Sequence, residues 1–262
     1  MRKLLIVLFS LGAAACIATA VIYAMRYSDG INEYREIEEK AVRKEKKNTD
    51  SAVRERPGAK DDVYDTVIDW DAMTSQNSDY AGWIEMMNGA SYPVVQAKDN
   101  EFYLHTGFNK TYNINGCIFM DCYAQKDWSD RNTIVYGHNM TNGSMFGSNK
   151  KYRSREYAVE NPYFYIHVKG GYNVYRIYTY ILTDDETYPY TAVIADAHDM
   201  EEYLARTKAM GEYWIDEAAP LPEDRIVTLS TCIGQAGGIH RQLIQGRFER
   251  FVEYGKEGFH EK

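Results

Sequence analysis

Three short stretches carry residues whose types and spacing can do chemistry. Thr228-Leu-Ser-Thr-Cys232 is a β-rich run that delivers a thiol at its end. The glycine-rich Ile233-Gly-Gln-Ala-Gly-Gly238 that follows is a loop by composition. Thr133-Ile-Val-Tyr-Gly-His-Asn-Met140 is a second β-run that ends in glycine and presents His138 at its exit. His240-Arg-Gln-Leu-Ile-Gln-Gly246 opens a third, with Arg241 nine residues beyond Cys232. Strands flanking so short a loop tend to be neighbours, which places Arg241 beside Cys232. Taken singly these signals are weak, because a lone histidine is usually a satisfied core or surface residue and a strand-end arginine a solvated charge. Together they make a unit: a thiol nucleophile, an imidazole proton partner, and a cation that cannot lose its proton where negative charge develops on a carbonyl oxygen. That chemistry is acyl transfer, and it requires no metal and no other cofactor. His105, His167, His198, His240 and His260 are assigned to structure or surface.

The elements that position these residues read mainly as strands. Tyr92–Gln96, Cys117–Met120, Thr133–Tyr136, Tyr163–Val168, Tyr172–Leu182, Ile226–Ser230 and Gln242–Gln245 are short β-rich runs bounded by Gly, Asn or Asp. Gly170-Gly171 is a hairpin signal, since two-residue hairpin turns need positive φ. The spacing of Val63, Val67, Trp70 and Met73 predicts a helix over 63–73. A second helix is expected from Asp196, placed to cap it, to Met210, with Met200, Tyr203, Leu204 and Met210 on one face. With 23 tyrosines and 14% aromatic residues, the composition suits pleated, partly exposed faces. The fold class is mainly β, a closed or sandwich-like domain with accessory helices.

The N-terminus sets the compartment. Leu4 to Met25 is 22 residues without a charge, enough to span about 30 Å of hydrocarbon as a helix. Arg2 and Lys3 before it, against Arg26 alone close after it, favour the N-terminus inside and the remainder outside. An uncleaved single-pass anchor in the cell membrane is expected over two rivals, a signal peptide cleaved after Ala18-Thr-Ala20 and a lipoprotein signal ending at Cys16. The apolar run continues past both sites. Tyr27–Asp62 carries nine basic and ten acidic residues; apart from a narrow stripe of Ile31, Tyr34 and Ile37 it reads as a charged extracellular spacer. The expected organisation is therefore 1–26 cytoplasmic stub and anchor, 27–62 spacer and 63–262 catalytic domain. The net charge of -8 removes any global electrostatic case for a nucleic-acid partner. Beyond Cys16 the cysteines are Cys117, Cys122 and Cys232, an odd number. In a continuous strand Cys117 and Cys122 point to opposite faces, so both are expected as structural fillers and not as a disulfide, and nothing beside them has zinc-ligand spacing.

The Thr228–Cys232 run matches the TLxTC signature of sortases, membrane-anchored cysteine transpeptidases of Gram-positive bacteria, and Arg241–Gly246 resembles the arginine strand that follows it. Asn132–Met140, continued by Gly143-Ser-Met-Phe146, resembles the histidine segment of class B sortases. The likeness extends to Gly82-Trp-Ile, Tyr92–Gln96 with Asp99–Leu104, and the helix before the cysteine strand, covering about 65–251. It implies an eight-stranded sortase β-barrel with N-terminal helices and an added helix between the sixth and seventh strands, supplied by 196–210. The resemblance also implies that Cys232 cleaves a C-terminal sorting motif of secreted proteins through a thioester. A peptidoglycan or pilin amine then resolves that thioester. His138, Cys232 and Arg241 match the active residues, and by motif position Asn100, Leu104 and Ser230 resemble residues of the substrate groove. Cys122 stands where an aromatic is common in the class. The alternative is an exported cysteine peptidase releasing its product to water; papain-like enzymes order Cys before His, opposite to the order here. A membrane-tethered β domain without activity requires the three residues to coincide by chance.

Overall fold

The computed structural model describes residues 2–45, 65–185, 187–234 and 238–254. The elements in chain order are helix α1 (Arg2–Ala41), β1 (Val42–Glu45), β2 (Asp65–Ile68), α2 (Trp70–Gln76), β3 (Tyr80–Met86), β4 (Ser91–Val95), β5 (Ile118–Met120) and β6 (Asn132–Tyr136). They continue as α3 (Arg155–Glu160), β7 (Tyr163–Val168), β8 (Gly171–Asp184), α4 (Ala197–Met210), β9 (Gly211–Trp214), β10 (Ile226–Cys232) and β11 (His240–Glu253).

Eight strands close into a barrel in the order β3-β4-β5-β6-β10-β11-β8-β7, with β7 pairing back onto β3 and β9 added outside on β8. The neighbours β4 and β5 run parallel, as do β6 and β10; the other pairs of the ring are antiparallel. Closure removes the sheet edges that would otherwise template pairing with other chains. Gly170, at φ 87°, makes the β7–β8 turn where the hairpin was expected. Helix α4 stands between the sixth and seventh barrel strands, and Asp196 caps it by accepting from Asp199 N at 2.9 Å. Its Met200, Tyr203 and Leu204 are buried, as the periodicity predicts, while Met210 is half-buried. Tyr80, Tyr103, Tyr152, Tyr175, Tyr178, Tyr180 and Tyr203 are among the largest fully buried side chains, while more of the described tyrosines, Tyr92, Tyr136, Tyr165, Tyr172 and Tyr190 among them, are half-buried as the composition suggests.

Two expectations need correction. The helix predicted over 63–73 is a strand, β2, followed by helix α2 from Trp70. Thr66, Val67 and Ile68 are β-branched and pair with β1, and Asp69 starts the helix by accepting from Ala72 N at 3.0 Å. Val63 and Tyr64 lie outside the described residues. The second concerns the segment expected as a spacer. Residues 27–41 continue α1 without a break, and Tyr34, Ile37 and Ala41 are buried against the barrel. The narrow stripe suffices because the helix is already nucleated by the apolar segment before it, so each further turn adds hydrogen bonds at no new nucleation cost. Residues 46–62 of that segment lie outside the described residues. The other half of α1 has a different character: Phe9, Leu11, Ile17, Val21, Ile22, Tyr23 and Met25 are all exposed. The 33 residues Phe9–Ala41 form a helix long and apolar enough to cross a membrane.

Candidate active site

The parallel pairing of β6 with β10 decides where chemistry can occur. Asn132 stands opposite Ile226 and Tyr136 opposite Ser230, so the two strands leave the barrel at the same end. Gly137 N then donates to Ser230 O at 3.1 Å, and Asn139 Nδ2 donates to Cys232 O at 2.9 Å. His138 therefore emerges between two contacts to the last turn of the cysteine strand. Gly137 allows close packing: a Cβ there would sit 2.4 Å from Ile118 Cδ1 and 2.7 Å from Phe146 Cδ2, so these buried side chains would have to shift. On the other side β11 pairs antiparallel with β10, and Arg241 is the direct Cα partner of Cys232. The three residues singled out in sequence are thus brought to one barrel end, with the Cys232 side chain half-buried.

Each of them is held by its surroundings. His138 Nε2 lies 2.7 Å from the Leu104 carbonyl. A carbonyl can only accept, so Nε2 carries the proton and Nδ1 has the free lone pair. The ring stacks on His105, with centroids 6.1 Å apart and planes 19° from parallel. Burial lowers the His138 pKa from its ordinary 6.5; the Leu104 carbonyl opposes this and His105 adds to it. The imidazole is thereby kept neutral. Arg241 Nη2 pairs with Asp185 at 2.9 Å, and Nη1 donates to the carbonyls of Gly238 and His240. These bonds use three of five N–H donors and aim the planar fork, leaving two for a substrate oxygen among the described partners.

Asn100 and Ser230 are the ends of one polar and aromatic strip. Asn100 Nδ2 donates to Asp121 Oδ2 at 2.9 Å, and Tyr136 OH donates to the same oxygen at 2.8 Å. The Tyr136 ring stacks on Tyr190 at 6.4 Å, and Tyr190 OH shares a 2.7 Å hydrogen bond with Ser230 Oγ. Ser230 is buried, so its hydroxyl is committed to Tyr190. Leu104 contributes its carbonyl to His138 while its side chain packs against the core. Sequence reasoning missed Tyr190, Asp121, Asp185 and Asn139. Asn139 was adjacent to the histidine and Tyr136 lay inside the run that led to it. Asp185 is 56 residues from the arginine it holds, and no local pattern marks it. Burial pushes the Tyr190 phenol up to about 12, so it remains a neutral donor and acceptor beside the thiol.

Of the other cysteines, Cys117 is fully buried and burial pushes its thiol up to about 12, which keeps it protonated. Cys122 lies beyond the end of β5 in a turn, half-buried, with its thiol pKa raised by partial burial and by Asp121. Both are free thiols, and no group of three or more potential metal ligands occurs among the described residues.

A closed eight-stranded barrel with a cysteine, a histidine and an arginine at one rim defines the sortase class of protein, and comparison with known proteins narrows it further. No family model matches the chain. Sortase B of Listeria monocytogenes is 36% identical over 158 residues, 60% of this chain and 63% of that protein. Sortase B of Staphylococcus aureus is 30% identical over 165 residues, 62% of this chain and 67% of that protein. The solved structure of sortase B from B. anthracis superposes with a TM-score of 0.69 at 25% identity, covering 86% of this chain and 98% of that one. The chain belongs to the class B sortases. Its match spans less than two thirds of the length of the Listeria relative.

Proposed function

We propose that this chain is a membrane-anchored cysteine transpeptidase. It cleaves a C-terminal sorting motif of secreted proteins and transfers the acyl group to an amine of the cell wall or of a pilin. The observation that carries the reading is the strand register: Cys232 is paired with Arg241, and a parallel neighbour presents neutral His138 at the same rim. In the first step the Cys232 sulfur bonds to the scissile carbonyl carbon while its proton passes to His138 Nδ1, the nitrogen that the Leu104 contact leaves free. Negative charge gathers on the carbonyl oxygen, where the two remaining Arg241 donors stabilise it. The C–N bond then breaks, and His138 returns the proton to the leaving amine. In the second half the acceptor amine attacks the thioester, gives its proton to His138, and the thiolate departs and is reprotonated.

Half-buried Asn100 and Leu104 stand at the approach, whereas buried Ser230 contributes to it only through its bond to Tyr190, with Tyr136 and Tyr190 between the two ends of the strip. Residues 1–26 form the cytoplasmic stub and membrane anchor, with the domain outside. This rests on the uncharged run and on the exposure of that half of α1. The helical residues 27–41 belong with the barrel they pack on and not with a free spacer.

The test is cleavage of a peptide library by the full chain in detergent, with and without added amine, read by mass spectrometry. Cleavage that requires Cys232, with ligated product when amine is supplied, is the expected result. Cleavage yielding only free acid at every amine concentration would instead define a peptidase, and no cleavage of any peptide would overturn the reading.

A further inference from the structure

The half of α1 that packs on the barrel reaches both segments that flank His138. Tyr34 lies eight residues beyond Arg26, about 12 Å up the helix from the end of the apolar run, and is buried. Its hydroxyl donates to the Gly116 carbonyl. Gly116 has φ +56°, and a Cβ there would lie 2.5 Å from Leu104 O, 2.7 Å from Tyr103 O and 3.0 Å from His138 Cδ2. The residue that Tyr34 holds is therefore packed against the imidazole and against the carbonyl that accepts its proton. On the other side, the Tyr34 ring meets Tyr92 edge to face at 5.7 Å, and Tyr92 OH accepts from Met145 N at 2.9 Å. Met145 bridges to Asn139, and Phe146 N donates to His138 O at 3.0 Å. The intervening loop also rests on the helix: Glu33 accepts from Asn113 Nδ2 at 2.8 Å and from Asn109 N at 3.2 Å, and Asn115 Nδ2 donates to Tyr27 O at 3.3 Å.

We infer that Tyr34, on the helix leading out of the anchor, is a positioning residue for His138. By clamping Gly116 and Tyr92 it keeps Leu104 O on Nε2 and so holds the imidazole in the tautomer that offers Nδ1 to the thiol. This rests on His138 being the proton carrier of the proposed reaction. Imidazole left without a fixed Nε2 acceptor samples both tautomers and a wider range of orientations, and displacements of about 1 Å at a reacting group cost up to about a hundredfold in rate.

Tyr34→Phe in the full chain keeps the ring and its packing and removes only the hydroxyl. The expected result, on a peptide found by the library cleavage above, is a fall in kcat of about tenfold with KM within about twofold and the melting temperature little changed. The ¹⁵N imidazole signals of His138 should move from a single Nε2–H tautomer towards a mixture. In a His138→Ala background, the rate at which iodoacetamide alkylates Cys232 should be the same with Tyr34 or Phe at position 34. Wild-type kcat with an unchanged tautomer in Tyr34→Phe overturns the inference, and so does an equal loss in both backgrounds, which would mark a general structural effect. Full turnover in His138→Ala would sink the reading of the site itself, and the tautomer signal would still decide whether Tyr34 holds the ring.

Discussion

The same three strands, β6, β10 and β11, behave oppositely along their length. In their bodies Asn132, Thr228 and Gln245 are buried and bonded into one network, although Thr133 Oγ1, Thr231 Oγ1 and Gln242 Nε2 are buried without a partner. Asn132 Nδ2 donates to Thr191 O at 2.9 Å, Thr228 Oγ1 donates to Asn132 Oδ1 at 2.8 Å, and Gln245 Nε2 donates to Tyr203 OH at 2.7 Å and Thr228 Oγ1 at 3.0 Å. Tyr178 OH closes the set on Gln245 Oε1 at 2.9 Å. At their ends sit a half-buried thiol, a neutral imidazole and an arginine with donors to spare. A network whose members satisfy one another in low dielectric rigidifies and sets register. Groups left incompletely satisfied at a rim are available to a substrate. The register is the link between them, because a slip of one residue would turn Cys232 to the other face of the sheet.

Substitutions should separate the two regions. Cys232→Ala should abolish turnover, on the order of 10⁴-fold or more, while the melting temperature stays near wild type, since the thiol lies at a strand end. Unfolding of that variant would place Cys232 with the strand bodies. Arg241→Lys should cost on the order of 10²-fold in kcat/KM with stability nearly unchanged, because it keeps charge and loses the fork. Near wild-type rates in Arg241→Lys would leave the residue only charge steering. Gln245→Leu should do the reverse. It strands the Tyr178 hydroxyl and takes one donor each from Tyr203 OH, which keeps Pro189 O, and Thr228 Oγ1; denaturant unfolding should show a loss of about 2–3 kcal/mol while kcat per folded molecule holds.

The pH dependence sharpens the contrast at the rim. His138 must be neutral to accept the thiol proton, and its pKa is lowered from 6.5 by burial, so the acid limb of kcat/KM should fall below pH 6.5. A limb well above pH 6.5 would mean the ring is not held in this buried, neutral state. The smallest effect belongs to the remaining thiols. Cys117→Ala should cost about 1 kcal/mol as a small cavity and Cys122→Ala less, both with turnover retained. An inactive but normally melting Cys122→Ala would end the assignment of a single functional thiol.

Much of this was legible locally. The three motifs announce themselves by residue type, the hairpin at Gly170 by its glycines, and α4 by Asp196 and its apolar face, because each depends on residues close in sequence. What was misread depends on a distant partner. Asp65–Ile68 has helical spacing with its neighbours, but pairing with Val42–Glu45 makes it a strand. Residues 27–41 carry the charge of a spacer and nevertheless dock, since three apolar side chains on one helical face found a barrel to cover.

The sequence by itself determined the chemistry: a thiol, an imidazole and a guanidinium at the ends of β-rich runs, behind an uncharged segment of membrane-spanning length. Side-chain type sets nucleophilicity, proton affinity and hydropathy, and these survive in any fold. Tertiary structure alone decided which nitrogen of His138 carries the proton, which carboxylate aims Arg241, and that the helix continuing from the apolar segment bonds Gly116 beside the histidine. Those contacts join residues 34 to 82 positions apart in the chain, and at such separations only the closed barrel determines which groups meet.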